Sequence, residues 1–86
     1  MTNVFKDIDP TRVKRSIHLL KQNMNEGDIV PLLEILQQLA EDPTNGELLI
    51  RFSEVFEGLG IMQGAALTYA PYLTIILSDD PFNNPP

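Results

Sequence analysis

Chemistry in this chain would have to come from very few side chains. The 86 residues contain one histidine, His18, and no cysteine. A zinc site needs three or four His, Cys or acidic ligands, and a nucleophilic triad needs a base and an orienting acid. His18 lies between Ile17 and Leu19 on a basic segment, and reads as an exposed or partly packed imidazole. Carboxylates pair at Glu54/Glu57, Glu41/Asp42 and Asp79/Asp80. General acid–base work needs one member of such a pair in a cleft with a shifted pKa. These pairs fall on a polar helical face, at a helix end and in a polar tail, where solvated charge is expected. Asn23, Asn25 and Glu34 stand at positions 1, 3 and 12 of a calcium-type loop, but Asn23 and Asp28 occupy the places that require Asp and Gly. No glycine-rich phosphate loop or nucleophile elbow occurs. No catalytic residue, cofactor or metal is therefore assigned, and the expected function is not enzymatic.

What the chain has in excess is apolar surface. Residues 58–78 run for 21 positions without a charged side chain. On a helix starting at Ile61 their apolar groups cover nearly the whole circumference, with Gln63, Thr74 and Ser78 forming a narrow polar stripe. A helix apolar all round is buried or spans a membrane. Gly60, Gly64, Gln63, Pro71, two threonines and two tyrosines in this segment argue against insertion, so a buried helix is expected and a membrane partner is not. A chain of 86 residues has little interior to offer. Contact with a second chain follows, either another protein or a second copy giving a dimer, with Tyr72, Ile75 and Ile76 as the residues expected to make it.

Charge is divided along the sequence. Residues 1–24 hold five basic residues against two acids, a net +3, whereas residues 25–86 hold Arg51 alone against ten acids, a net −9. A basic first helix would meet nucleic-acid phosphates, but the acidic body would repel them, so nucleic acid is not the expected partner. The N-terminal MTNVFKDIDP lacks the apolar core of a signal peptide, and a cytoplasmic location is expected.

The elements that would carry these surfaces are helical, in one domain over 1–78 followed by a flexible Pro/Asn-rich tail over 79–86. Asp9-Pro10 supplies an N-cap and a first-turn proline, and Val13, Ile17, Leu20 and Met24 follow at spacings of four, three and four. A first helix over 10–24 is predicted. A second runs over 29–40 with Pro31 in its first turn. A third runs over 45–58, begun by a capping box of Thr44 and Glu47 and supported by a Glu47–Arg51 pair. The fourth starts near Ile61 and should kink or break at Pro71. The β-branched YLTIIL beyond it leaves a short strand open. The expected fold is all-α, four helices in two antiparallel hairpins.

The two hairpins repeat. Their second helices align at an offset of 33, Gly27 with Gly60 and Leu32 with Ala65, and their first helices at 35, Val13 with Leu48 and Ile17 with Phe52. In the second unit, Leu49-x2-Phe52-Ser53-x2-Phe56 and Ala65-x3-Tyr69 stand where the tetratricopeptide repeat has W-x2-L-G-x2-Y and A-x3-F. The chain resembles that family over about half its length, with Ser53, Pro71 and Tyr72 departing from the pattern. The resemblance implies that Ala65 sits at a close helix–helix approach and that the third helix lines a concave surface. Glu47, Ile50, Glu54 and Glu57 would present an acidic stripe there around an apolar centre. The function expected from all this is a helical protein–protein interaction module, an adaptor or small assembly subunit that self-associates. The alternative is a small regulator that touches nucleic acid through its first helix or mimics it with its acidic body.

Overall fold

The computed structural model describes residues 8–78; the predicted tail over 79–86 lies outside them. All regular structure among these residues is helical: α1 (Pro10–Asn23), a 3₁₀ turn (Glu26–Asp28), α2 (Val30–Glu41), α3 (Gly46–Glu57), α4 (Met62–Tyr69) and α5 (Tyr72–Ser78). The YLTIIL segment is thus helix rather than strand.

Local chemistry accounts for the boundaries. The Asp9 carboxylate accepts the Thr11 N–H at 2.9 Å, and Pro10 occupies the first turn of α1, where no N–H partner is needed. Asn25 caps the 3₁₀ turn by accepting from the Gly27 N–H at 3.0 Å. The cap of α3 is Asn45, which accepts from the Glu47 N–H at 2.9 Å, and not the Thr44 of the expected capping box. Pro43 and Thr44 are spent on the turn before it. Gly60, at φ 60°, carries the reversal between α3 and α4 in a left-handed conformation that side chains disfavour. Ala70 sits at φ −131°, ψ 76°, outside the helical region that a following proline disfavours. The helix therefore ends at Tyr69 and a new one begins at Tyr72.

The core gathers one face of each helix. Val13 and Leu20 of α1, Leu32, Leu36 and Leu39 of α2, Phe52 of α3, Ala66 of α4 and Leu73 of α5 are all fully buried. Phe52 and Phe56 stack with ring centroids 6.1 Å apart. α1 packs most extensively on α2, and α2 on α3. The second half departs from a stacked pair of hairpins: α4 packs on α1 and α5, and α5 packs on α1 and α3, while α3 and α4 share marginal contact at most. The C-terminal segment therefore lies back against α1 and α3.

The register of α4 also differs from the repeat likeness. Ala65 is exposed, and the buried small residues are Ala66 and Ala70. With polar groups scarce on α4, the sequence pattern does not say which side faces in. Replacing Ala66 by Leu should overpack the core and cost about 1–3 kcal/mol. Ala65→Leu should fall within about 0.5 kcal/mol of wild type. Urea unfolding of both variants checks the register, and equal losses would refute it.

Candidate functional site

Two surfaces gather the residues singled out above. The first lies where α5 meets the N-terminal half of α1. Thr11, Arg12, Arg15, Ser16 and Leu19 from α1, with Asp9 before it, face Pro71, Tyr72 and Ile75 across an open groove of about 720 Å³. Its floor is small because Ser16 is buried and turned back on its own helix, its hydroxyl donating to the Arg12 carbonyl at 3.0 Å. Its apolar wall is α5, where Ile75 is 45% exposed. Its rim is basic, from the exposed Arg12 and Arg15.

Tyr72 ties the groove together. Its phenol oxygen accepts the Asp9 N–H at 2.8 Å, satisfying a backbone donor just ahead of α1, where donors lack helical partners. The Arg12 guanidinium carbon lies 5.8 Å from the centre of the Tyr72 ring, close enough for a cation–π attraction. Arg12 also approaches the Asp9 carboxylate at 3.8 Å, both side chains largely solvated. Such an exposed pair adds roughly 0.2–1 kcal/mol, so its main effect is to aim Arg12. Arg15 has no ion-pair partner among the described residues.

Of the three residues expected to self-associate, Tyr72 and Ile75 line this groove, but Ile76 does not. At 1% exposure Ile76 belongs to the chain's own core, because α5 turns residues 73 and 76 inward and 72 and 75 toward α1.

The second surface is the outer face of α3. Glu47, Glu54 and Glu57 are exposed and Ile50 is half-buried, outside the core. Arg51 borders the stripe, and no ion pair joins it to Glu47 among the described residues. A smaller cavity of about 310 Å³ between α1 and α2 has Lys21 and Glu34 among its walls. Ile61, just before α4, is 99% exposed.

Two of the would-be calcium ligands are engaged otherwise: Asn23 donates to the Leu19 carbonyl and Asn25 accepts from Gly27. Among the described residues no group of three or more His or acidic side chains is placed to hold a metal, and no helix is long and apolar enough to cross a membrane. Compared with family models, with curated proteins and with solved structures, the chain matches none.

The sequence reading placed Arg12 and Arg15 only on a basic helix offered to nucleic acid, and did not join them or Leu19 to residues 71–75. They become a site only through contact with residues some sixty positions later, as the Asp9–Tyr72 bond across 63 residues illustrates. Tyr72→Phe removes the acceptor of that bond and should cost about 0.5–1.5 kcal/mol. Amide exchange at Asp9 should accelerate by more than exchange in α2 and α3, which follows the global loss alone. An Asp9 amide no faster in the variant would show that the bond is not formed in solution.

Proposed function

We propose that the chain is a non-enzymatic helical protein–protein interaction module, an adaptor or small assembly subunit that self-associates through the α1/α5 groove. The observation that carries this reading is the groove itself, in which an apolar wall of Tyr72 and Ile75 stands beside the basic rim of Arg12 and Arg15. An apolar centre edged by arginine and tyrosine has the composition of residues that dominate protein interfaces. The acidic stripe of α3, the surface that the tetratricopeptide likeness would place in a binding concavity, supplies a second face of opposite charge. Support for a rival reading comes from the same helix: Lys14, Arg15 and Lys21 are all exposed, as a phosphate-binding helix would require. Mobility shift with duplex DNA, lost steeply as salt rises, would favour that reading; binding to a DNA-binding protein instead would favour acidic mimicry.

The structure separates the test from unfolding. Ile75→Glu places a charge on the exposed wall of the groove and should leave helicity intact while lowering the mass seen by light scattering at micromolar concentration to that of a monomer. Ile76→Glu buries a carboxylate without a partner, and should destabilise by several kcal/mol, about 3–5. A wild-type chain that stays monomeric and binds no hydrophobic dye overturns self-association. An Ile75→Glu variant that associates as the wild type does moves the contact away from the groove.

A further inference from the structure

The groove on α1 and the stripe on α3 match each other in spacing as well as in charge. Along α1 the groove lining includes Arg12, Arg15 and Leu19, separated by three and then four positions. Along α3 they are Ile50, Glu54 and Glu57, separated by four and then three. Read antiparallel, the two series coincide: Glu57 falls opposite Arg12, Glu54 opposite Arg15 and Ile50 opposite Leu19. On helices rising about 1.5 Å per residue, both triads span the same ~10 Å. The next residue of the stripe, Glu47, falls opposite Gln22, which is exposed and uncharged.

We propose that the α1/α5 groove of one molecule is occupied by α3 of a second copy, packed antiparallel to α1 in this register. The proposal rests on the self-association reading above and specifies which surface meets which. Ile50 would enter the apolar part of the groove between Leu19 and Ile75, and Glu54 would meet Arg15, whose guanidinium has no acidic partner within its own described chain. Arg12 is already shared with Asp9 and the Tyr72 ring, so Glu57 would add a second carboxylate to a guanidinium that can serve two. Opposed charges of this kind fix register and orientation, while the apolar contact supplies most of the holding. Because groove and stripe are different surfaces, the contact is heterologous: each molecule offers one free groove and one free stripe, and association continues unless the rotation closes a ring.

Complementary variants test this without any unidentified ligand. Arg12→Glu with Arg15→Glu inverts the groove's charge and leaves the stripe; Glu54→Arg with Glu57→Arg inverts the stripe and leaves the groove. By sedimentation the wild type should show a mass that climbs with concentration. Each variant, checked by circular dichroism to be as helical as wild type, should remain monomeric. Their equimolar mixture should recover a mass that climbs with concentration, the two chains alternating, because each variant's stripe is opposite in charge to the other's groove. Should a double variant lose helicity, the single pair Arg15→Glu and Glu54→Arg gives the same comparison. If the wild type associates but the mixture stays monomeric, or if either variant associates as well as wild type, the heterologous register is wrong while self-association stands. If the wild type is monomeric throughout, both are overturned.

Discussion

A helix of seven residues such as α5 has no stability of its own, because nucleation costs more than one or two turns of hydrogen bonds return. Its existence therefore depends on docking, and the docking depends on the break at Ala70-Pro71. A continuous helix over 62–78 would carry Leu73 and Ile76 away along the α4 axis. With the axis redirected at Ala70, Leu73 and Ile76 enter the core at 0% and 1% exposure. Full burial of side chains this size contributes about 1.5–3 kcal/mol each, enough to hold one short helix in place. The same redirection brings Tyr72 to the N-terminus of α1, where its phenol accepts the Asp9 N–H. The placement of α5 after the break thus turns part of the apolar last third into core and sets one wall of the groove.

The sequence was most informative where local chemistry acts alone. Asp9 and Pro10 define the start of α1 through a side-chain acceptor and a fixed φ, both properties of the residues themselves. The stripe of Val13, Ile17, Leu20 and Met24 turns inward because arginine, lysine and histidine occupy the alternatives. Around residue 45 the same logic had two candidates, since Thr44 and Asn45 can both cap. Asn45 took the position because its side chain reaches the Glu47 N–H from the residue next to the helix, while Thr44 is held in the turn. That difference of one residue is below what capping preferences resolve.

Phase was lost where polarity was lost. Along α4 few residues have a strong claim on water, so neighbouring rotations of the helix expose nearly equal apolar area and the sequence pattern cannot rank them. Packing ranks them instead: Ala66 and Ala70 lie inward, while Ala65 and Tyr69 face solvent. The same ambiguity placed Ile76 beside Ile75 as a surface residue, although a helix separates neighbours by about 100° and one of the two had to be core. The groove was illegible for a different reason. Arg12, Arg15 and Leu19 form an ordinary solvated face by themselves, and acquire an apolar wall only when residues 71–75 arrive beside them.

Charge division along the chain becomes charge division on the surface. The basic residues of α1 and the acidic residues of α3 belong to helices that both pack on α2 yet share no extensive contact with each other. Among the described residues the only ion pair is local, Arg12 with Asp9, so the opposite charges are not neutralised within the fold. Leaving them apart costs little in water, where exposed pairs contribute roughly 0.2–1 kcal/mol at best. It keeps both faces available to attract something external, and the net −6 of the whole chain disfavours indiscriminate clustering of copies. On the proposed reading association is directed, because two copies approaching at random repel, while approach of α1 toward α3 is attractive. A small domain with a modest core can in this way encode orientation in its surface charge and leave affinity to the few apolar side chains, Tyr72, Ile75 and Ile50, that its own interior does not fully enclose.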